Sequence, residues 1–470
     1  MSSPNTDAPL MLSVSGARGI VGKTMTPAVA AEFAAAFAAL VAEGTKGRRP
    51  RLVVGRDGRQ GGACLALAVQ GGLAAVGCDV IDLGVTMTPT VGVMIRELKA
   101  DGGMAVTASH NPIEWNGLKC LDGDGLAPPK PVADEIVARF KSKRIAYTSS
   151  LDVGTIETNT SSNETHIAKV LAYVDVERIR AARFHVVLDS VNASGCVPGR
   201  ALLERLGCRV THLFGEPTGI FGHVPEPIEQ NLVALASGVR TTAGASCGFA
   251  QDPDADRLAI VDERGRFIGE EYTLVLAALR VLARRGPTAP KATLATNLST
   301  SRMIDDVAAR FGATVLRTAV GEANVVAALK PAKGLLGGEG NGGVIVPEIC
   351  WVRDSLSAMA IVLELLATEE RPLSEIVDSL PRYAMVKTKL DLAGIGGLAA
   401  VGPALERTKS AFASERINAT DGVRIDFADG WVHLRASNTE PIVRIIAEAP
   451  TKARADELIA RCAKAAGLAG

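Results

Sequence analysis

Three segments of the chain share one layout, and this repeat constrains the fold more than any other feature. In each segment a short Val/Leu-rich run leads into a polar turn, a helical stretch, a glycine and a second apolar run. A buried strand, an amphipathic helix and a second strand are typical of a βαβ unit in a mixed or parallel sheet. The segments start near residues 51, 184 and 292, and they read RLVVGRDGR to GCDVIDLG, HVVLDSVNASG to GCRVTHLF, and ATLATNLSTS to GATVLRTA.

The end of the chain follows a different pattern. After about residue 372, short strands flank an Ala-Asp-Gly turn in GVRIDFADGWVHLRAS, and PIVRIIAEA and a closing helix follow. A chain of 470 residues exceeds what one hydrophobic core usually organises. The sequence therefore predicts three similar α/β domains with mixed sheets and a C-terminal α+β domain. With a polar linker at 142–166, the predicted domains are residues 1–155, 156–258, 259–372 and 373–470.

Composition limits the classes of partner. Basic and acidic residues each total 51, so the chain has no net positive field for nucleic acid or an anionic membrane. The N-terminus lacks the pattern of a signal peptide, and no uninterrupted apolar stretch is expected to be long enough to span a bilayer. The eight cysteines lack metal-ligand spacing and indicate buried, reduced thiols. These features predict a cytoplasmic protein.

The strongest single motif is QDPDADR at residues 251–257. It places Asp252, Asp254 and Asp256 at alternate positions directly after the strand-like sequence CGFA. Three acids at this spacing repel one another unless a hard cation lies between them, and carboxylate oxygens suit Mg²⁺, which commonly holds a phosphate as well. An acidic surface turn is the alternative, but apolar strands flank the motif on both sides.

Three further loops give weak signals when each is taken alone, since ordinary glycine-rich or strand-connecting turns are the alternative, but they carry candidate ligands for a phosphorylated sugar. GGEGNGG at 337–343 lets the backbone approach a ligand and leaves Glu339 and Asn341 to select it, with Glu339 suited to sugar hydroxyls. GARGIVG at 16–22 offers Arg18 as a second cation for a phosphate. RASNTEP at 435–441 concentrates donors suited to a dianionic phosphate, namely Arg435, Ser437, Asn438 and Thr439.

The motif TASHNP at 107–112 is, taken alone, a capped turn, because Ser and Asn before Pro commonly bond nearby backbone N–H groups. Together, however, TASHNP, DPDADR, GGEGNGG and RASNTEP, in this order and at these separations, closely resemble the α-D-phosphohexomutase superfamily. The resemblance spans essentially the whole chain. It implies a heart-shaped enzyme of four domains, whose loops meet in a central cleft and which interconverts hexose 6-phosphates and hexose 1-phosphates.

The resemblance also implies roles for individual residues. Ser109 matches the nucleophile, which is phosphoserine in the active enzyme and a further ligand of the Mg²⁺ held by the three aspartates. His110 lies beside the nucleophile, Lys119 matches a lysine near the reacting oxygens, and Arg257 follows the metal loop. Phosphoserine would donate its phosphoryl group to a hexose phosphate, giving a hexose 1,6-bisphosphate intermediate that returns one phosphate to the enzyme. The implied state is a monomer or a homodimer.

One loop departs from the commonest family patterns, which read GEMSGH or GEQSGH. Here Asn341 and Gly343 replace the serine and the histidine, and GEGNGG looks like an archaeal-type variant. Members with that variant include phosphoglucosamine mutases and phosphomannomutases. The sequence therefore predicts a phosphoglucosamine mutase or a phosphomannomutase/phosphoglucomutase.

Two alternatives use the same residues. A metal-dependent sugar-phosphate phosphatase would release phosphate to water, whereas a closed cleft and a separate phosphate loop favour a mutase. A non-catalytic sugar-phosphate sensor on this fold would be expected to lose the serine or an aspartate, and all four are present.

Overall fold

The computed structural model describes residues 8–14, 16–286, 289–391, 397–436 and 442–468. The described residues form three α/β domains and a C-terminal α+β domain, as the sequence predicts. They divide into two compact units, Met1–Val281 with Asn341–Ile376, and Leu282–Gly340 with Val377–Gly470.

The first domain is built on a mixed sheet in the strand order β1-β2-β6-β5-β3-β4-β7. Its central strand β3 runs parallel to both β4 and β5, and β6 pairs antiparallel with β5 and β2. The strands are β1 Met11–Ser13, β2 Gly16–Ile20, β3 Arg51–Arg56, β4 Asp79–Val85, β5 Gly102–Val106, β6 Trp115–Asp122 and β7 Ile156–Thr158. The helices are α1 Pro27–Gly44, α2 Gly62–Ala75, α3 Thr88–Glu97 and α4 Lys130–Ser142.

Helix α1 is the only described helix whose length and apolar composition would allow it to cross a membrane, with a mean hydropathy of 1.4 over 18 residues. Glu32 and Glu43 interrupt its apolar sequence, so it is not an uninterrupted apolar stretch of the kind that the sequence excludes. Core helices meet the same criterion, and Phe33 and Phe37 of α1 pack in the core of the first domain. Gly72 of α2 allows close packing, since a Cβ there would lie 2.3 Å from the carbonyl oxygen of Ala31.

The segment predicted as a linker, residues 142–166, is partly regular structure. Strand β7 lies within it and pairs in parallel with β4, so it extends the first sheet. The next helix also begins inside this segment, at Ser162.

The second domain contains the second predicted βαβ unit, because β8 is parallel to β9 with α7 between them. Its sheet has the order β11-β10-β8-β9, and β10 and β11 form an antiparallel pair. The strands are β8 His185–Asp189, β9 Arg209–Leu213, β10 Cys247–Gln251 and β11 Leu258–Asp262. The helices are α5 Ser162–Tyr173, α6 Val176–Ala182, α7 Cys196–Arg205 and α8 Val233–Thr241, preceded by a 3₁₀ turn at Glu229–Asn231.

The third predicted βαβ unit is also present, since β12 is parallel to β13 and to β14. This part of the chain contains strands β12 Thr293–Asn297, β13 Thr314–Thr318, β14 Leu336–Glu339 and β15 Gly343–Ile345. Its helices are α9 Tyr272–Ala283, α10 Met303–Arg310, α11 Glu322–Leu329, α12 Ser355–Glu369 and α13 Leu373–Asp378.

The C-terminal domain is an antiparallel sheet in the order β16-β20-β19-β18-β17, with two helices packed against it. The predicted strand pair around the Ala-Asp-Gly turn is β18 and β19, with Phe427 opposite Gly430. The strands are β16 Ala384–Asp391, β17 Arg416–Asn418, β18 Val423–Phe427, β19 Gly430–Ala436 and β20 Ile442–Ala449. The helices are α14 Val401–Ala411, after a 3₁₀ turn at Leu398–Ala400, and α15 Lys452–Ala466.

Candidate active site

Ser109 lies in the loop between β5 and β6. Its φ of 50° is in the left-handed region, which a residue with a side chain rarely adopts, and its backbone N–H donates to Thr107 Oγ1 at 2.8 Å. The Ser109 hydroxyl donates to Asp252 Oδ2 at 2.8 Å, and His110 Nδ1 lies 3.4 Å from Ser109 Oγ. The structure therefore brings the serine of the first domain into contact with the aspartate motif of the second.

The aspartate motif forms a tight turn between β10 and β11. Oxygens of the three carboxylates lie within 4.8 Å of one another, and all three residues are buried. Ala255, between the second and third aspartates, has a φ of 52°, and its N–H donates to the Asp252 carbonyl oxygen at 2.9 Å. This turn directs all three carboxylates to one place.

Two cations and a hydroxyl donate hydrogen bonds to the carboxylates, and Arg257 Nε lies 3.8 Å from Asp256 Oδ1. Lys119 of β6 donates to Asp254 Oδ2 at 2.6 Å and to Asp256 Oδ2 at 3.3 Å. Arg353 donates to Asp256 Oδ2 at 2.7 Å, and the Thr88 hydroxyl donates to Asp254 Oδ2 at 2.6 Å. Sequence reasoning identified Lys119 and missed Arg353 and Thr88.

These contacts shift the pKa values of the three aspartates in different directions. Burial and the two neighbouring carboxylates raise the pKa of Asp252 well above its usual value. Burial also acts to raise the pKa of Asp254, but Lys119 and Thr88 outweigh it and the net shift is downward. For Asp256, Arg353 and Lys119 outweigh burial and lower its pKa. Asp254 and Asp256 are thus held in the charged form, and repulsion from their two charges disfavours the charged form of Asp252.

The donor set fits a divalent cation. Asp254 Oδ1 and Asp256 Oδ1 are buried and accept no hydrogen bond from the described residues, which is costly for carboxylate oxygens in a protein interior. The three carboxylates lie within 4.8 Å of one another, and the neighbouring cations do not offset the repulsion at Asp252, whose pKa is raised. Oxygen ligands of this kind are those that Mg²⁺ prefers.

The remaining predicted residues of the first unit surround this cluster. Arg18 of β2 donates from its guanidinium to Asn111 Oδ1 at 3.1 Å, and burial lowers its pKa. The Arg257 backbone N–H donates to Asp252 Oδ1 at 3.1 Å. The positive charge of Arg257, then burial and Arg18, lower the pKa of His110 well below its usual value, so this imidazole is neutral near pH 7.

Asn341 belongs to the first unit as well. Its side-chain oxygen accepts a hydrogen bond from the Gly343 N–H at 3.3 Å, which stabilises the glycine loop locally. In the same loop, the Gly342 carbonyl oxygen accepts from the Leu258 N–H at 3.0 Å. Asn341 thus lies in a loop that is bonded to the residue after Arg257.

The second unit contains Glu339 and Arg435, each held by a partner that sequence reasoning missed. Glu339 Oε1 accepts hydrogen bonds from Asn297 Nδ2 at 2.8 Å and from the Gly321 N–H at 3.0 Å. Arg435, at the end of β19, donates from Nε to Asp421 Oδ2 at 3.1 Å. Asn297 and Gly321 lie 42 and 18 positions from Glu339, and Asp421 lies 14 positions from Arg435, so the pairing depends on the fold and not on one motif. Ser437, Asn438 and Thr439 lie outside the described residues.

Comparison with known proteins gives matches along the whole chain. Residues 11–146, 164–265 and 269–383 match the phosphoglucomutase/phosphomannomutase alpha/beta/alpha domains I, II and III, and residues 399–465 match the C-terminal domain of the same family. A relative named phosphoglucomutase/phosphomannomutase, from Thermococcus kodakarensis, is 39% identical over 446 residues, which are 94% of this chain and 95% of the relative.

Two further matches agree. A phosphoglucosamine/phosphogalactosamine mutase of Sulfurisphaera tokodaii is 32% identical over 456 residues, covering 96% of this chain and 97% of that protein. The crystal structure of a phosphoglucomutase/phosphomannomutase family protein from Burkholderia thailandensis superposes with a TM-score of 0.84 at 28% identity, covering 97% of this chain and 98% of that one.

Proposed function

Because the chain belongs to the phosphoglucomutase/phosphomannomutase family and is a phosphohexomutase, we propose that it interconverts the 6- and 1-phosphates of glucose and mannose. The observation that carries the mechanism is the 2.8 Å hydrogen bond from Ser109 Oγ to Asp252 in the buried carboxylate cluster. Glucosamine phosphate is the second candidate substrate, since a relative at 32% identity is named for it.

In the proposed reaction, phosphoserine 109 is the phosphoryl donor. The bond between phosphorus and Ser109 Oγ breaks, and a bond forms from phosphorus to the free hydroxyl of the bound hexose phosphate. The proton of that hydroxyl passes to His110, which is neutral near pH 7 and has Nδ1 3.4 Å from Ser109 Oγ. The departing Ser109 Oγ takes this proton from His110. In the return step Ser109 Oγ gives the proton back to His110 and attacks the other phosphorus of the hexose 1,6-bisphosphate, the bond from that phosphorus to the sugar oxygen breaks, and the sugar oxygen leaves with the proton.

Residues of the same cluster are suited to stabilise the transferred group. Asp252, Asp254 and Asp256, with the phosphoserine, would hold Mg²⁺, which when bound supplies positive charge next to the phosphoryl oxygens. Lys119 already contacts two of these carboxylates, and Arg18 lies close enough to interact electrostatically with Asp254 and Arg257. We assign Lys119, Arg18 and Arg257 to charge stabilisation during transfer.

Substrate recognition is assigned to other residues. Glu339 would accept hydrogen bonds from sugar hydroxyls, with Asn341 in the same loop, and Arg435 would pair with the phosphate that is not being transferred. Support comes from the fixed positions of Glu339 and Arg435, which Asn297 and Asp421 hold by hydrogen bonds. Ser437, Asn438 and Thr439 are proposed as further phosphate ligands from the sequence motif alone.

Family membership also favours a mutase over the phosphatase and the sensor, because the serine, the aspartates and the four domains are all present. We further propose domain limits at residues 155, 258 and 372, a cytoplasmic location, and a monomer or homodimer with no nucleic-acid or membrane partner. A hexose 1,6-bisphosphate is proposed as the activator that first phosphorylates Ser109.

The test is a coupled assay with glucose, mannose and glucosamine 1-phosphates, with and without the corresponding bisphosphate. We expect Mg²⁺-dependent formation of the 6-phosphates, fastest for glucose and mannose, with little inorganic phosphate released. Ser109→Ala should lower kcat by at least about 1,000-fold while retaining the fold, because the covalent route is lost. Stoichiometric release of phosphate without the 6-phosphate product would instead identify a phosphatase.

A further inference from the structure

Arg59 is a fully buried cation that no site motif includes. It follows β3 in the sequence GRDGR, and its Nε donates to Asp57 Oδ2 at 2.7 Å. Both side chains are completely shielded from solvent. A buried ion pair seldom adds net stability, because removing two charges from water costs about as much as their attraction returns. The presence of this pair therefore calls for a role other than stability.

The guanidinium of Arg59 donates hydrogen bonds to backbone carbonyl oxygens of the loop that carries Ser109. One terminal nitrogen donates to the Ser109 carbonyl oxygen in a short hydrogen bond, and the other donates to the Trp115 carbonyl oxygen at 2.8 Å. The second nitrogen also lies 3.4 Å from the carbonyl oxygens of Asn111 and Pro112. A planar group with five donors can hold several carbonyls at once, which the single ammonium of a lysine cannot do in the same geometry.

Asp57 is connected to the backbone N–H of the same serine through Thr107. Its Oδ2 accepts a hydrogen bond from the Thr107 hydroxyl at 2.6 Å, and Thr107 Oγ1 accepts one from the Ser109 N–H at 2.8 Å. The ion pair thus fixes the Ser109 N–H through Thr107 and the Ser109 carbonyl through Arg59. A left-handed φ in a non-glycine residue persists when the surrounding contacts determine it, as these contacts do.

A loop of the second domain covers the pair. The ring centroid of Phe221 lies 5.3 Å from Arg59 Cζ, and Gln60 Nε2 donates to the Thr218 carbonyl oxygen at 3.0 Å. A Cβ on Gly219, whose φ is 70°, would lie 2.0 Å from the Gly58 carbonyl oxygen, so this close approach requires glycine. The cover excludes water and strengthens the hydrogen bonds beneath it.

We infer that Asp57 and Arg59 are positioning residues that hold Ser109 in the conformation required for phosphoryl transfer. This inference rests on the proposed function and assigns the pair to the transfer step, not to substrate binding. The residues proposed to hold the substrate, Glu339 and Arg435, are held instead by Asn297 and Asp421 of the second unit. Loss of the network should therefore lower kcat and leave KM almost unchanged.

The test compares Arg59→Lys with Arg139→Lys in the full-length enzyme. Arg139 is a matched control, because it is also a largely buried arginine of the first domain and pairs with Glu43 and Glu135 away from the site. We expect kcat to fall about 100-fold in Arg59→Lys with KM within about threefold of the parent, and to fall less than about threefold in Arg139→Lys. The rate of Ser109 phosphorylation by glucose 1,6-bisphosphate, followed by intact mass, should fall in parallel with kcat.

A second pair of variants tests the positioning role of Asp57 and Arg59 if Arg59→Lys fails to fold. Thr107→Val removes the hydroxyl that connects Asp57 to Ser109, and Thr107→Ser retains it. We expect kcat and the phosphorylation rate to fall about tenfold in Thr107→Val and to recover to within about twofold of the parent in Thr107→Ser.

The outcomes separate the two proposals. An active parent in which Arg59→Lys and Thr107→Val match their controls in kcat and phosphorylation rate would overturn this inference alone. A parent that never forms phosphoserine and shows no mutase activity would overturn the proposed function, and the inference with it.

Discussion

At the scale of single residues, the two oxygens of Asp254 have different surroundings. Oδ2 accepts hydrogen bonds from Lys119 and Thr88, whereas Oδ1 is buried and accepts none from the part of the chain that the structure describes. A carboxylate arranged in this way keeps its charge through one oxygen and offers the other to a cation. The division is less complete for Asp256, because its Oδ2 contacts Lys119 and Arg353 while its Oδ1 lies 3.8 Å from Arg257 Nε.

Asp254→Asn tests this arrangement. Loss of one negative charge should weaken Mg²⁺ binding at least about tenfold and lower activity, whereas KM for the sugar phosphate should change little at saturating metal. Mg²⁺ activation curves and direct Mn²⁺ binding measure the effect.

The control for this variant is Asp262→Asn. Asp262 is also fully buried and accepts hydrogen bonds from the N–H groups of Arg264 and Arg266, outside the carboxylate cluster. We expect it to lower stability without altering metal affinity. Equal metal affinity in Asp254→Asn and the parent would mean that the aspartate turn is only structural.

Residue types and spacing were sufficient to identify the three aspartates as a candidate metal site, whereas Ser109 and Lys119 were identified through the resemblance to the family. Residue types and spacing were not sufficient to find Thr88, Asp421 or Arg353. These residues reach the site residues only through the fold: Thr88 lies 166 positions from Asp254 along the chain, and Arg353 lies 97 positions from Asp256. Partners of this kind carry ordinary side chains in ordinary local sequence, so one sequence gives no signal for them.

At the scale of elements, apolar runs bounded by glycine predicted the three βαβ units, since buried parallel strands need continuous apolar residues. The strand β7 was missed because it is three exposed residues, Ile-Glu-Thr, within a polar stretch. Its pairing with β4 depends on a partner about 75 positions earlier and not on its own composition.

The strand β19 contains a buried titratable group whose surroundings keep it neutral. His433 Nε2 donates to the Asp421 carbonyl oxygen at 2.6 Å, so Nδ1 accepts a hydrogen bond from the Ser299 hydroxyl at 2.9 Å. Burial lowers the pKa of His433 to about 4, from an ordinary value of 6.5. Both polar contacts therefore suit a neutral imidazole.

This shift predicts a pH-dependent stability. The unfolded histidine binds a proton below pH 6.5 and the folded one only below about pH 4, so the unfolded state binds more protons between these values. The stabilisation is present above pH 6.5 and is lost as the pH falls toward 4, by at most about 3 kcal/mol. Hydrogen exchange of the β19 amides should accelerate from pH 7 to pH 5, after correction for the intrinsic rate.

His433→Gln provides the comparison, because glutamine cannot titrate. Its β19 amides should exchange faster than those of the parent at pH 7, owing to the altered contacts, and the difference between pH 7 and pH 5 should shrink. An unchanged pH dependence in this variant would assign the effect to another group.

At the scale of the whole molecule, the proposed chemistry is divided between the two compact units. Ser109, Lys119 and the three aspartates belong to the first, whereas Glu339 and Arg435 belong to the second. Composition and motif order predicted which residues belong together in function. They did not predict the division into two units, each of which contains two separate segments of the chain. The division arises from tertiary contacts between segments that are distant in sequence.

The division predicts that variants of the second unit leave metal binding and Ser109 phosphorylation capacity intact. Glu339→Gln should change the ranking of glucose, mannose and glucosamine phosphates as well as the rate, because the amide replaces a charged acceptor for sugar hydroxyls. Arg435→Ala should raise KM for all three substrates by similar factors, since the phosphate is common to them. The loss of one charge-assisted contact corresponds to about 1.5–3 kcal/mol.

The measurement is kcat/KM for the three sugar phosphates in each variant, with Mg²⁺ affinity measured alongside. Val386→Ala serves as a control, because Val386 packs in the core of the C-terminal domain and should lower stability alone. A change of sugar ranking in Arg435→Ala with none in Glu339→Gln would mean that the roles of the two residues are reversed. A loss of Mg²⁺ affinity in either variant would contradict the division, because every proposed metal ligand lies in the first unit.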